Sequence, residues 1–241
     1  MKKIAYILMG AATLLAACSD MNSLHDKYLA DGETIYLARF DSLKVYPGRE
    51  RVKVIYWLSD PKVKTTTAKW NMGKESGEYE VHITTPDTPG SFIIDGLAEG
   101  SYSFDFYNNN AEHDLSSIKY SITGLSYGDS YQNAIINTSP QKFTFNKKTG
   151  EYSFMVKTRY ENAVAYDLCY TKADGTEVTD QRYEIADLCD ENDNMIYPIV
   201  LDGGSDVMEI RLRTVYHPEP DCIDEFVTAY ETYTLENPTV V

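Results

Sequence analysis

Short apolar runs, interrupted by turn residues about every 8–12 positions, constrain this sequence more than any other feature. The clearest run, Arg51–Leu58, alternates so that one face of an extended strand collects four apolar side chains: Val52, Val54, Tyr56 and Leu58. The chain contains 20 tyrosines, and Val, Ile, Thr and Phe recur in the runs. These residue types favour strands. We therefore predict an all-β chain of two tandem antiparallel β-sandwich domains.

The first sandwich is predicted over residues 33–128. It opens with strand signals at Thr34–Phe40 and Leu43–Tyr46, and Pro47–Gly48 then predicts a turn. The further predicted strands are Arg51–Leu58, Thr65–Trp70, Tyr79–Ile83, Ser91–Ile94, Ser101–Tyr107 and Ile118–Ile122. Short strands at this spacing are typical of a sandwich.

The second sandwich is predicted over residues 129–241, after a hinge at Tyr127–Asp129. Its strand signals repeat the order of the first: Lys142–Phe145, Tyr152–Arg159, Ala163–Thr171, Glu177–Ile185, Ile196–Leu201, Val207–Tyr216 and Phe226–Leu235. Asp174–Gly175 suits a tight hairpin between two of these strands. We predict a second domain of similar type.

The first 17 residues have the layout of a secretory signal peptide. Lys2 and Lys3 precede the apolar run Ile4–Leu15, which is shorter than the roughly 20 residues that cross a bilayer. Leu15-Ala16-Ala17-Cys18 then has the pattern of a bacterial lipobox, which predicts lipidation of Cys18. The alternative is an ordinary cleaved signal followed by an unmodified cysteine. Residues 18–32 are the predicted lipidated N-terminus and tether, and several acyl chains would hold the protein firmly on a membrane.

Composition limits the partners. Removing the leader removes two lysines, so the formal charge changes from −15 to −15 − 2 = −17. A chain this acidic repels nucleic acid, whose phosphates need lysine and arginine. In bacterial lipoproteins a serine after the cysteine, here Ser19, permits export to the outer membrane. Asp20 resembles the acidic residues that follow the cysteine in surface lipoproteins of the Bacteroidota, and this resemblance favours the cell surface over the periplasmic face. We expect a lipid-anchored outer-membrane protein, with the periplasmic face as the alternative.

Two stretches resemble known families. Leu97–Phe104 (LAEGSYSF) resembles the turn into strand F of a fibronectin type III domain, in which a tyrosine bonds back to the upstream backbone. In the usual pattern the tyrosine falls one residue later than Tyr102, so the sequence does not decide whether Tyr102 forms this bond. The resemblance also implies that Trp57 is the core aromatic between the sheets.

The wider resemblance is to a family of Bacteroides-type lipoproteins with a fibronectin type III-like domain of unknown function. It is carried by Cys18–Met21, Leu24–Leu29, Gly32–Glu33, Tyr36, Pro47–Gly48, Trp57 and Asp60–Pro61, and near the end of the chain by Arg213–Pro220, Ile223–Asp224 and Tyr230–Tyr233. The resemblance implies the fold and the location more than a mechanism.

Five aromatic residues could offer flat faces to a sugar or protein ligand: Trp70, Tyr79, Tyr183, Tyr197 and Tyr216. The favoured alternative for each of them is packing within or across the sheets. Arrangements typical of enzymes, such as GxSxG, HExxH or a phosphate-binding glycine loop, do not occur in the sequence. We predict a non-catalytic protein without a cofactor.

Metal and disulfide chemistry is limited by spacing. The acidic loop 187–194 begins like a calcium loop at Asp190, but Met195 stands where the turn needs glycine and Leu201 where a glutamate ligand is needed, so we predict a solvated loop and no metal. An exported chain could join two of Cys169, Cys189 and Cys222. Cys189 and Cys222, both in polar loops, are the candidate pair.

These observations leave two functions open. The first is a binding or adhesion module on the outer membrane that presents its loops or a sheet edge to a glycan or protein. The second is a structural spacer or accessory subunit of an outer-membrane glycan-uptake assembly.

Overall fold

The computed structural model describes residues 36–73, 75–83, 89–192 and 194–241. The chain is almost entirely β, and its strands form two sandwiches in tandem, so the predicted fold class is confirmed. Cys18, the leader and the tether lie outside the described residues. We call residues 36–127 the first module and residues 129–241 the second module.

The first module contains seven strands. They are β1 (Ser42–Arg49), β2 (Arg51–Trp57), β3 (Thr65–Met72), β4 (Glu75–His82), β5 (Gly90–Asp95), β6 (Gly100–Asn109) and β7 (Tyr120–Tyr127). One sheet has the order β1-β2-β5 and the other the order β4-β3-β6-β7, and all of these neighbours are antiparallel. The end of β1 also pairs in parallel with the end of β7 and links the two sheets. This strand order is that of a fibronectin type III domain.

The start of the module differs from the sequence prediction. Residues 36–41 form no strand, and Leu37 makes only an isolated bridge to Ser117. The predicted turn at Pro47–Gly48 is wrong, because β1 continues through both residues and the chain reverses at Glu50, whose φ is +52°. Pro47 and Gly48 mark instead the point at which β1 leaves β2 and joins β7. Proline tolerates this position because it needs no ladder donor there.

The core of the first module follows the predicted alternation. Val52, Val54 and Tyr56 are buried, whereas Ile55 and Trp57 on the other face of β2 are half-buried. Trp57 is therefore not the core aromatic, and the large ring between the sheets is that of Tyr56. The position of Tyr102 does permit the corner bond, since its hydroxyl donates to the backbone oxygen of Ala98 at 2.8 Å.

The second module repeats this plan after a short helix α1 (Asp129–Ala134). Its strands are β8 (Pro140–Asn146), β9 (Glu151–Val156), β10 (Ala163–Thr171), β11 (Glu177–Glu184), β12 (Ile199–Leu201), β13 (Val207–Tyr216), β14 (Phe226–Val227), β15 (Glu231–Glu236) and β16 (Thr239–Val240), with a 3-10 helix at Ile185–Leu188. One sheet is β12-β9-β8-β16, and in the other β11, β10 and β13 are followed by β14 and β15, which both pair with β13. Here too a final strand, β16, pairs in parallel with the first strand, β8.

The pairing registers define the two ends of the molecule. The chain enters the first module where Leu37 meets Ser117 and the amide of Ala38 donates to Asp60. The second module attaches at the opposite end, next to Glu50 and Tyr127. Its own far end carries the loops 147–150, 172–176 and 202–206. With strands of up to 10 residues in each module, these loops lie on the order of 60 Å from the chain entry.

Candidate functional site

A depression lies on the outer face of the second module, at the end far from the first module. It encloses about 570 Å³, opens to solvent and is called here the distal groove. It is formed by β10, β11, β13 and the loops beside them, and its lining residues are Cys169, Tyr170, Thr171, Lys172, Ala173, Glu177, Val178, Thr179, Ser205, Val207, Met208, Glu209 and Arg211. The volume is within the range of small-ligand sites.

Strand alternation explains why a groove forms here. Tyr170 on β10 and Met208 on β13 point into the core, so their neighbours Cys169, Thr171 and Glu209 must point outward. The outward side chains of β10 are short and those of β13 are long. The difference in length leaves a trough between β13 and β11.

A β-bulge shapes the side of the groove formed by β11. Leu168 pairs with Gln181 and Tyr170 with Val178, so two residues of β11, Thr179 and Asp180, face the single residue Cys169. Asp180 adopts a φ of +50°, which is uncommon for a residue with a side chain. Its amide donates to the sulfur of Cys169 at 3.3 Å. Bulges of this kind redirect side chains, and they are common next to functional sites.

The redirected carboxylate of Asp180 joins a charged cluster. The Nε and Nη2 atoms of Arg213 lie 2.9 and 2.7 Å from Oδ2 of Asp167, a buried carboxylate, and Nη2 lies 3.6 Å from Asp180. The hydroxyl of Tyr230 donates to Asp180 at 2.5 Å, and its ring lies 4.7 Å from the guanidinium carbon of Arg213. Burial, with the bond to Asp180 as the second cause, raises the pKa of Tyr230. The hydroxyl of Tyr230 therefore keeps its proton near neutral pH and can donate it to Asp180.

Arg211 differs from the other cations around the groove. Lys172 pairs with Asp202 and Arg213 with Asp167, but no carboxylate of the described residues lies within 4 Å of the exposed guanidinium of Arg211. Its guanidinium carbon lies 5.7 Å from the ring of Tyr230. An exposed guanidinium held against a ring presents its donors in a fixed fork, which suits a carboxylate or several hydroxyl groups.

Comparison with family profiles decides the identity of the chain. The profile of a domain of unknown function, DUF4998, matches residues 18–226. The chain belongs to the DUF4998 family. No curated protein matches this DUF4998 sequence.

Solved structures similar to the DUF4998 chain include two segments of chicken proteins. A structure of the FN1–FN3 domains of chicken CNTN1 has a TM-score of 0.46 and 11% sequence identity, over 85% of this chain and 66% of that chain. A segment of two fibronectin type III domains from chicken tenascin has a TM-score of 0.31 and 15% identity, over 83% of this chain and 99% of that chain. The DUF4998 chain thus spans 66% of the length of the CNTN1 segment.

The five aromatic residues singled out in the sequence do not come together. Tyr216 is 3% exposed and donates to the backbone oxygen of Ile136, so its burial argues against a role in ligand binding. Tyr183 is half-buried, and its hydroxyl donates to the backbone oxygen of Val200 on the edge strand β12. Trp70 packs against the first core and covers Gly77. The rings of Tyr79 and Tyr197 are exposed, but they belong to different modules.

The thiols and the acidic loop also have structural roles. Cys169, Cys189 and Cys222 are all free, so the predicted pairing of Cys189 with Cys222 is wrong in this structure. Cys222 faces the core and is buried, which removes its sulfur from the loop surface. In the acidic loop, the carboxylate of Asp190 accepts hydrogen bonds from the backbone amides of Asn192 and Asn194 and closes a turn.

The part of the chain that the structure describes contains neither a metal-binding cluster nor a membrane-spanning helix. Within the described residues, no group of three acidic, cysteine or histidine side chains is placed to hold a metal ion, and Asp193 of the acidic loop lies outside them. No helix in the same part of the chain has the length and apolar character that a membrane crossing requires.

Sequence reasoning missed the residues of the distal groove and of the charged cluster beside it. Arg211, Asp180 and Thr179 belong to no motif, and only strand alternation could have shown that Arg211 points away from the core. The bulge at Asp180 had no signal, since neither glycine nor proline marks it.

Proposed function

We propose that this DUF4998 protein is a lipid-anchored, non-catalytic binding module of the outer membrane that takes a glycan or protein ligand in its distal groove. The observation that carries this proposal is the place of the groove, at the far end of the molecule from the point where the chain enters the first module. A protein tethered at its start would present this end to the surroundings.

The anchor is supported by the sequence Leu15-Ala16-Ala17-Cys18. A diacylglyceryl group and an acyl chain on Cys18 would tether the protein through residues 18–32. Ser19 and Asp20 favour the outer membrane and its cell-surface face. Fibronectin type III-like folds are typical of non-catalytic domains, and the groove supplies hydrogen-bonding groups for a polar ligand.

Two measurements test the anchor. Cells labelled with palmitate should incorporate the label into the wild-type protein but not into a Cys18→Ala variant, which should also leave the membrane fraction. Protease added to intact cells should cleave the wild-type protein if it lies on the cell surface. Label in the Cys18→Ala variant would contradict lipidation, and protection from protease would place the protein on the periplasmic face.

The binding function is tested with a soluble chain that begins at Ser19, since the core residues described for both modules all follow it. Glycan arrays and pull-down experiments should identify a ligand, and Arg211→Ala should weaken its binding on the order of tenfold, as expected for the loss of a charge-assisted pair.

Arg39→Ala is the matched control. Arg39 is an exposed arginine near the chain entry, and its guanidinium carbon lies 5.5 Å from the ring of Tyr120. This distance is similar to the 5.7 Å between the guanidinium carbon of Arg211 and the ring of Tyr230. Equal losses in both variants would show a non-specific charge effect. The absence of any ligand across broad sets would count against a binding module.

The second candidate function is that of a spacer or accessory subunit in an outer-membrane glycan-uptake assembly. It is favoured by the hydrogen bonds that Asp224 of the second module accepts from Arg49 and Arg51 of the first, which suit a part that holds a fixed position. Such a subunit should co-purify with its assembly from native membranes, whereas purification as a single species would contradict this function.

A further inference from the structure

The loop between β13 and β14, residues 217–225, reaches from the second module onto the end of the first; we call it the joint loop. Within this loop, Asp224 makes three hydrogen bonds to the first module. The Asp224 carboxylate accepts hydrogen bonds from the backbone amide of Arg49 at 2.8 Å and from Nε and Nη2 of Arg51 at 2.9 and 2.5 Å. The two bonds from Arg51 form the bidentate geometry in which a guanidinium binds a carboxylate most specifically.

Backbone groups bring the joint loop into direct contact with β1. The amide of Ile223 donates to the oxygen of Pro47 at 2.8 Å. A Cβ atom on Gly48 would lie 2.6 Å from Oδ2 of Asp224, so a larger residue at this position would have to displace the Asp224 side chain.

Arg49 forms a second connection. Its guanidinium carbon lies 4.1 Å from the ring of Phe226, which is fully buried in the second core. Its Nη2 atom donates to Gln132 on α1 at 2.6 Å, and the side-chain amide of Gln132 donates to the backbone oxygen of Val227. One side chain of the first module therefore contacts two elements of the second.

A third connection runs through the link between the modules. The ring of Tyr127, at the end of β7, packs against Tyr131 and Phe226, and its hydroxyl donates to Glu219 of the joint loop at 2.7 Å. The carboxylate of Glu99 accepts hydrogen bonds from the first amides of α1, those of Ser130 and Tyr131. The linking helix is thus fixed from both sides.

The joint loop is also held within the second module. Glu225, next to Asp224, accepts two hydrogen bonds from Arg182 on β11, at 2.9 and 2.6 Å. Two adjacent carboxylates of the joint loop therefore bind one arginine each: Asp224 binds Arg51 of the first module, and Glu225 binds Arg182 of the second. The loop cannot move with one module without breaking its contacts to the other.

We infer that the two modules form one rigid body, held by the joint loop with Asp224 as its central contact, so that the distal groove keeps a fixed direction relative to the chain entry. Domains joined in one chain usually move relative to each other unless their interface restrains them. Here three connections, through Asp224, Arg49 and Tyr127, lie around the junction and together oppose bending and twisting.

Tumbling of the soluble chain from Ser19 to Val241 tests this inference. In nitrogen-15 relaxation measurements, amides of both modules should report the same rotational correlation time. Asp224→Ala removes all three acceptor contacts, and the correlation times should then separate and fall by up to about twofold, towards that of a single module. Small-angle scattering should show a broader distribution of sizes for the variant.

Asp221→Ala is the control, since Asp221 is an exposed carboxylate of the same joint loop with no ion pair among the described residues. It should tumble like the wild type. Arg51→Gln, which keeps the fold of β2 but loses the ion pair, serves as a second variant if Asp224→Ala does not fold. Separate correlation times in the wild type would overturn the inference, and so would unchanged tumbling in the Asp224 and Arg51 variants.

Discussion

Asp224 and Arg51 lie 173 residues apart in the sequence, yet they form a bidentate ion pair across the junction of the two modules. The side chain of Asp224 is 18% exposed and that of Arg51 is 37% exposed. Solvent therefore weakens the attraction, and the pair contributes less than a buried one would. The main effect of the ion pair is to orient the joint loop, because two parallel hydrogen bonds from Arg51 and a third from the Arg49 amide fix the direction of the loop that carries Asp224.

The first prediction concerns acid. The hydrogen bonds from Arg51 hold the pKa of Asp224 below its ordinary value of 3.8, and those from Arg182 hold the pKa of Glu225 below 4.5. Both groups therefore stabilise the folded chain above these values, and the stabilisation is lost as the pH falls below them through the folded pKa values. Urea unfolding should show a lower free energy at about pH 3 than at about pH 7.

Asp224→Asn provides the comparison for this acid effect. Its free energy of unfolding should be lower at neutral pH and should change less between the two pH values, because one of the titrating groups is gone. A pH dependence equal to that of the wild type would show that Asp224 does not contribute to it.

A second prediction concerns Gly77. A Cβ atom at this position would lie 2.4 Å from the indole of Trp70, on the neighbouring strand. Gly77→Ala should therefore displace the indole, shift the tryptophan fluorescence and lower the free energy of unfolding by about 1–3 kcal/mol. Adding Trp70→Leu should relieve the clash, so that alanine costs less in the double variant than in the single one. Equal costs would contradict the contact.

The corner bond gives a third prediction. Tyr102→Phe removes the hydrogen bond to Ala98 and should lower the free energy of unfolding by about 1 kcal/mol in urea titrations. Tyr107→Phe on the same strand is the control, since no hydrogen bond of the Tyr107 hydroxyl occurs among the described residues. A loss for Tyr107→Phe as large as that for Tyr102→Phe would assign the effect to the ring environment instead of the bond.

The fourth prediction concerns the thiols. Cys189 is half-buried, whereas Cys169 and Cys222 are 5% and 6% exposed, and burial raises the pKa of the Cys222 thiol. A maleimide should label Cys189 faster than the other two by on the order of tenfold or more, as measured by peptide mass spectrometry. Cys189→Ser should remove the fast phase, and urea should make all remaining thiols reactive. Rapid labelling of Cys222 in the native protein would contradict its burial.

Local patterns predicted some of the structure well. The alternation in Arg51–Leu58 identified the core face of β2 because side chains of a strand point to opposite sides by geometry alone. The resemblance to fibronectin type III domains placed Trp57 wrongly in the core, since Trp57 lies on the other face of β2 and is half-buried. The turn expected at Pro47–Gly48 also failed, because the pairing of β1 with β7, which carries the strand onward, is a long-range contact.

Local sequence patterns did not predict the candidate site. Arg211 lies on β13, Asp180 on β11 and Tyr230 in the short segment between β14 and β15, and their meeting depends on a bulge at Asp180. None of these residues has a local signal that separates it from an ordinary surface residue.

The sequence by itself determined the all-β class, the tandem arrangement of two sandwiches and the expectation of a lipidated Cys18, because alternation, turn residues and short export signals act over a few neighbouring positions. Only the tertiary structure decided that Tyr216 is buried, that the thiols are unpaired, and that Asp224 binds Arg51 beside a joint at the opposite end from the groove. These features depend on which distant segments pack together. The two-residue alternation of a strand shows which side chains face the core, but it does not show which other strands or loops the strand will contact.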